Sequence, residues 1–283
     1  MAAPAPVSQP APSAEAAWTD PLLANPHAVE DKAARVNKMF SAIAPSYDLN
    51  NRLHSLWMDQ YWRNVAVKMA GVKAEDRIVD VACGTGDLTV KFAEEAFGFE
   101  SPARAASVIG IDFTYEMLPL ARNKWQRHNI VEHETRNPEE NPGAAQFVQF
   151  LQGNAMALPL PDSSVDVLSI AFGIRNVADW GAAIDEFARV LRPGGRLIIL
   201  EFSLPTNPWM CSLYNFYFRK IMPVTATLIS RDKTGAYKYL PQSVNTFISR
   251  EAMQERMRTA GFGDIVARPL TFGICVCYRG VRQ

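Results

Sequence analysis

The stretch Ile78-Val79-Asp80-Val81-Ala82-Cys83-Gly84-Thr85-Gly86-Asp87 constrains this chain more than any other. It reads as a short apolar strand that ends in small residues and opens a helix. Glycines in such a turn let the backbone approach a ligand, and the helix start offers unpaired N–H groups. The rest of the chain repeats the alternation, with strands predicted over 77–82, 107–112, 146–152, 165–171 and 196–202 and helices over 87–97, 115–127 and 180–191. That order predicts a mostly parallel sheet with helices on both faces.

Ahead of the sheet, Val29, Ala33, Val36, Phe40 and Ile43 form one helical stripe ended by Pro45. A second helix follows over 59–70, with Gly71 as its stop. Beyond Phe202, an aromatic-rich segment over 204–248 leads to a helix over 249–260, capped by Ser249 and closed by Gly261. Two last strands, near 264–268 and 272–278, are joined too tightly for a crossover helix and must pair antiparallel. Residues 1–28, dominated by Ala, Pro and Ser, read as a disordered tail because they offer little that can pack. Residues 29–283 then make one domain, with 128–145, which contains Asn-Pro twice, as a surface insertion.

Lys and Arg (29) balance Asp and Glu (29), which speaks against a nucleic-acid partner. Cys83, Cys211, Cys275 and Cys277 lack the paired spacing of a zinc site or a disulfide framework, so no metal is expected and a reducing compartment is. Cys275 and Cys277 alternate as in a strand and predict two thiols packed on one sheet face. No basic n-region with a following apolar stretch opens the chain, and no apolar run is long enough to span a bilayer. The expected location is the cytoplasm.

A nicotinamide enzyme would place a third glycine of Gly-x-Gly-x-x-Gly where this chain has Thr89. Without it the turn suits S-adenosylmethionine, which has no pyrophosphate to cradle. Gly84 and Gly86 supply the close approach, Asp80 faces the ammonium through the loop, and Thr85 bonds the carboxylate. Asp112, ending the next strand, offers two acceptor oxygens to the vicinal hydroxyls of a ribose. Asn154, followed by Ala155 past the third strand, can read an adenine edge. Three such positions in order favour nucleoside binding at the carboxyl edge of the sheet.

Three further blocks resemble the ubiquinone/menaquinone biosynthesis C-methyltransferases of the UbiE/MenG type. They are Tyr47-Asp48-Leu49-Asn50-Asn51 with Ser55 and Trp62; Phe172-Gly173-Ile174-Arg175-Asn176; and Arg189-Val190-Leu191-Arg192-Pro193-Gly194-Gly195 with Leu200-Glu201-Phe202-Ser203. Tyr239-Leu240-Pro241 and Thr271-Phe272-Gly273 are also similar to the family. Departures stand at His54, where relatives have an apolar residue, at Asn50, at Asp59, and at Ala171, where a serine is common. The resemblance implies a class I S-adenosylmethionine methyltransferase (Rossmann-like) fold: a seven-stranded sheet, mostly parallel, with an antiparallel C-terminal strand. The implied reaction is methylation of a ring carbon of a prenylated quinol, demethylmenaquinol to menaquinol, with S-adenosylmethionine as cofactor and no metal. Arg175 is then expected to clamp a phenolate electrostatically, because a guanidinium keeps its proton, with Asn176 orienting it and Tyr47 closing the pocket. Asp48, Glu201 and His54 are the candidate proton acceptors.

Residues 204–248 then read as a lid for the prenyl tail, and from Pro205 onward eleven Lys and Arg face four Asp and Glu. Basic side chains among aromatics favour peripheral contact with an anionic membrane surface. A homodimer is compatible with the sequence. The alternatives are a methyltransferase for a ubiquinone precursor or another lipophilic molecule, and a cofactor-binding subunit without catalysis.

Overall fold

A computed structural model describes residues 16–97, 107–135 and 147–283. Among these residues, four α-helices precede the sheet: α1 (Asp20–Leu23), α2 (Lys32–Ile43), α3 (Tyr47–Ser55) and α4 (Met58–Ala70), the last stopped by Gly71 at φ 55°. The alternating part runs β1 (Arg77–Val81), α5 (Asp87–Phe97), β2 (Ser107–Asp112), α6 (Met117–Thr135), β3 (Phe147–Gln152), β4 (Val165–Ala171), α7 (Trp180–Val190) and β5 (Leu191–Phe202). Helices α8 (Pro208–Phe216), α9 (Met222–Ser230), α10 (Ala236–Asn245) and α11 (Arg250–Thr259) follow, then β6 (Phe262–Leu270) and β7 (Cys275–Arg282).

The seven strands lie in the order β3-β2-β1-β4-β5-β7-β6. Strands β1 to β5 are mutually parallel, while β7 pairs antiparallel with both β5 and β6. This is the doubly wound arrangement read from the alternation, with the C-terminal strand reversed. The strand order turns back beside β1, so the carboxyl ends of β1 and β4 flank the crevice where ligands of such sheets bind.

Period-two burial explains both faces. Val79, Val81 and Leu197 pack with Ile184 and Phe187 of α7 and Met253 and Met257 of α11. Ile78, Val108 and Ile198 point the other way, onto Trp62 and Val65 of α4 and Leu88 and Phe92 of α5. Cys275 and Cys277 belong to this second face, both fully buried and free, as their alternation predicts. Asp179, Ser249 and Asn207 cap α7, α11 and α8 by accepting backbone N–H bonds, which fixes where those helices begin.

Three expectations change. Residues 16–28 are not a tail: Ala17, Trp18 and Leu23 are buried in a third cluster with Val36, Met39, Tyr237 and Tyr239. Average composition hid the one large aromatic that anchors them, since the Trp18 ring stacks on Tyr239 with centroids 4.3 Å apart. Residues 1–15 lie outside the described part. Helix α6 continues to Thr135, so the expected insertion at 128–145 begins as helix, and 136–146 lie outside the described residues. Finally, β6 and β7 are longer than read, because their pairing extends from Leu270↔Cys275 to Phe262↔Arg282.

Candidate active site

Two cavities meet above the carboxyl edge of the sheet. The smaller, of about 120 Å³, is lined by Gly84 after β1, Asp112 after β2, Asn154 and Ala155 after β3, and Asn176 after β4, roofed by Ala33, Val36 and Phe40 of α2. The larger, of about 540 Å³, lies between α3, α4 and the helices α8 to α10; Arg175, His54, Tyr214 and Trp62 are among its walls. Phe40, Tyr47 and Phe172 line both, so they form the partition between the cavities.

The floor of the smaller cavity follows from the strand ends. Gly84 has φ 55°, and a Cβ there would meet nothing nearer than Tyr47 Cε1 at 4.0 Å, which leaves the turn open to a ligand. The Asp112 carboxylate accepts backbone N–H bonds from Gly84 (2.7 Å) and Thr114 (2.8 Å), one on each oxygen. Each oxygen keeps a second lone pair for a further donor. Burial pushes the Asp112 carboxyl up to about 6, so it is ionised at neutral pH. Asn154 Oδ1 accepts from Met156 N at 3.0 Å, which fixes the amide and leaves Nδ2 as the end without a partner among the described residues. A carboxylate suited to a diol, an oriented amide and an open glycine fit a nucleoside.

Three residues of the expected cofactor set stand elsewhere. Asp80 faces away from the cavity, accepting from Thr89 Oγ1 and Ser169 Oγ at 2.7 Å each. It ties α5 and β4 to β1, and burial raises its carboxyl to about 6. Thr89, which displaces a third glycine, is therefore its structural partner. Gly86 supports packing, since a Cβ would come 3.0 Å from Ala121 Cβ and 3.2 Å from Phe150 Cε1. The Thr85 hydroxyl is buried and donates to Asp48 Oδ1 at 2.6 Å while accepting from Lys124 Nζ at 3.1 Å. Lys124 also pairs with Asp48 at 2.7 Å and with Asp87. This cluster latches α3 onto the turn after β1. Asp48 stands in a recognisable block, but nothing in the spacing of α6 marks Lys124 as its partner.

At the end of β4, Phe172 adopts a left-handed backbone, φ 56°, uncommon for a bulky side chain. Two side chains hold its carbonyl: Arg175 Nη1 donates at 2.6 Å and Asn176 Nδ2 at 3.2 Å. Gly173 follows because a Cβ there would lie 2.5 Å from Ala82 Cβ. Arg175 is buried and pairs with Glu201 Oε1 at 2.6 Å, its guanidinium 5.3 Å from the centre of the Phe202 ring. Nη2 has no partner among the described residues, and Arg175 lines the larger cavity while Asn176 lines the smaller. Asn176 in turn accepts from Tyr239 Oη at 3.0 Å, joining this loop to Trp18.

Of the candidate proton acceptors, Asp48 is held by Thr85 and Lys124, and Glu201 by Arg175 and the Phe202 N–H. Neither lines either of these two cavities. His54 lines the larger one; its Nδ1 lies 3.1 Å from Tyr217 Oη, and its buried Nε2 has no partner among the described residues. Burial lowers the His54 imidazole from its ordinary value, so it is neutral at neutral pH.

The fold and the crevice together define a doubly wound α/β methyltransferase that uses S-adenosylmethionine. The chain belongs to the ubiE/COQ5 methyltransferase family, whose model matches residues 28–282. It is 43% identical over 244 residues to a demethylmenaquinone methyltransferase of Thermus thermophilus, covering 86% of this chain and 100% of that one. It is 40% identical to a ubiquinone/menaquinone biosynthesis C-methyltransferase UbiE of a Geobacter species, covering 90% and 100%. Among solved structures, a SAM-dependent methyltransferase from Thermotoga maritima superposes with a TM-score of 0.55 at 20% identity, covering 88% of this chain and 100% of that one. Another, from Aquifex aeolicus, gives 0.52 at 17%, covering 78% and 89%. The two solved structures are likenesses of fold.

Proposed function

We propose that the chain methylates a ring carbon of a prenylated quinol, demethylmenaquinol in the first instance. The observation that carries this reading is the pair of adjoining cavities, one bordered by nucleoside-type groups and the other large and predominantly apolar. The relatives from Thermus thermophilus and Deinococcus radiodurans, both named demethylmenaquinone methyltransferase, support the naphthoquinol ring.

Gly84, Asp112, Asn154 and Ala155 would hold S-adenosylmethionine, which supplies an electrophilic methyl group when bound. The chain's own task is to present an electron-rich ring carbon beside that methyl and exclude water. Arg175 stays protonated and stabilises the negative charge that grows on the quinol oxygen. Asn176 braces the same turn, and Tyr47 and Phe172 partition the two ligands. His54, the candidate acceptor that lines the larger cavity, would take the phenolic proton as the ring carbon attacks, and loss of the ring-carbon proton after the transfer restores the aromatic quinol.

Trp209, Leu213 and Phe216 of α8 and Val224 and Leu228 of α9 are exposed, Trp209 to 86% and Leu228 to 73%. They adjoin the helices that wall the larger cavity, with Arg219 and Lys220 between them. This supports α8 and α9 as a lid that rests on an anionic bilayer where the quinol resides. No helix among the described residues is long and apolar enough to cross a membrane. The purified protein should sediment with anionic vesicles at low salt and be released as salt rises; failure to bind at any salt removes the membrane contact. Incubation with labelled S-adenosylmethionine and reduced demethylmenaquinone should give labelled menaquinol. Label appearing solely in the ubiquinone precursor would change the ring assignment.

A further inference from the structure

One residue that lines the larger cavity carries a buried hydroxyl for which the described residues offer no partner. Tyr214, on α8, lines this cavity and is 4% exposed, and its Oη has no hydrogen-bond partner among the described residues. Its ring is fixed by stacking on Phe218 with centroids 4.2 Å apart. Burying a hydroxyl without a partner destabilises the fold, so a phenylalanine of the same shape would serve it better. Tyrosine at such a place is explained by a ligand that completes the bond.

We propose that the Tyr214 hydroxyl and the free edge of Arg175 together form a two-donor site for one quinol oxygen, with Tyr214 supplied by the lid. The assignment rests on the quinol reading given above. Arg175 comes from the loop after β4 and Tyr214 from α8, so the site is complete when α8 is docked. The Arg175 charge acts on the phenol, and burial nonetheless pushes Tyr214 well above its ordinary range. It therefore remains protonated and acts as a donor. A neutral donor beside a fixed cation favours an oxygen that gains negative charge, and it leaves proton removal to another group. It also specifies the substrate, because a ring lacking that oxygen leaves both donors unpaired.

The test is Tyr214→Phe, which removes one oxygen atom and keeps the ring stack. If the hydroxyl serves the substrate, kcat/KM for the quinol falls at least about tenfold, while thermal stability is unchanged or rises and S-adenosylmethionine affinity holds. A structural hydroxyl would instead lower the melting temperature together with activity. A second arm compares the quinol with prenylated naphthols that lack one or the other ring hydroxyl. Wild type should discriminate strongly against one of the two naphthols, and the variant should lose most of that discrimination. A variant with wild-type kcat/KM and undiminished discrimination overturns the assignment of Tyr214 while leaving the quinol reading intact. Wild-type enzyme that methylates no quinol overturns both.

Discussion

The two cavities differ in what builds them. The smaller is cut from strand ends, so its groups are set by sheet register, and Asp112 spends one lone pair of each oxygen on backbone N–H groups of neighbouring loops. The larger is enclosed by helices that touch the sheet only in part, and its polar atoms are sparse and, for Tyr214, Tyr237 and His54, without a partner among the described residues. A nucleoside offers polar edges at fixed spacing and suits a rigid, prepaid set of dipoles. A prenylated ring offers mostly grease and one or two oxygens, so volume and a few donors suffice.

If the division of labour is real, variants should separate binding from turnover. The largest effect is expected at Arg175→Ala, with kcat lowered about 10²- to 10³-fold, as for loss of a donor to developing charge. S-adenosylmethionine affinity, measured by calorimetry, should change little. The melting temperature should also fall, since Glu201 is left as a buried charge and breaking such a pair costs about 3–5 kcal/mol. Equal losses in affinity and turnover would mean that the cavities do not act separately.

The converse is expected at Asp112→Asn. Removing charge-assisted bonds should weaken S-adenosylmethionine about tenfold or more while leaving kcat at saturation nearly intact. Because burial raises Asp112 and Asp80 to about 6, pH adds a sign test. Unfolded carboxylates titrate near about 4, so as pH falls toward that value the folded chain takes up more protons than the unfolded one. These two groups therefore contribute stability that is present at low pH and lost as pH rises through about 6. Cofactor affinity should move the opposite way and weaken as pH drops below that value. In Asp112→Asn the pH dependence of affinity should flatten; an unchanged slope would point to another titrating group.

The smallest effect is expected at the latch. Lys124→Ala opens one side of the partly exposed Asp48–Lys124–Thr85 cluster and should cost about 1 kcal/mol or less by thermal melting. A modest rise in the KM for S-adenosylmethionine should accompany it, because α3 carries Tyr47 over the turn. A large fall in kcat would show that the latch governs the quinol side too.

The same contrast separates what the amino-acid order reveals from what it hides. The sheet, its reversed last strand, and Gly84, Asp112 and Asn154 are local signals: short apolar runs ending in particular residues. Their neighbours in space are set by strand order, which general rules supply. Thr85, Asp80 and Gly86 read as cofactor groups from their place in one turn, yet side-chain direction there depends on partners far along the chain, Asp48, Ser169 and Ala121. The larger cavity is less legible still. Its walls are ordinary apolar residues of several helices, and no spacing announces that Tyr214 and Arg175 line one cavity or that Trp18 meets Tyr239.

That last contact gives the amino-terminal stretch an unexpected reach. Trp18 leans on Tyr239, Tyr239 holds Asn176, and Asn176 steadies the carbonyl of Phe172, the ring shared by both chambers. Proteolytic trimming before residue 20 would therefore loosen the dividing wall between donor and acceptor from a distance, without removing a single atom that touches either.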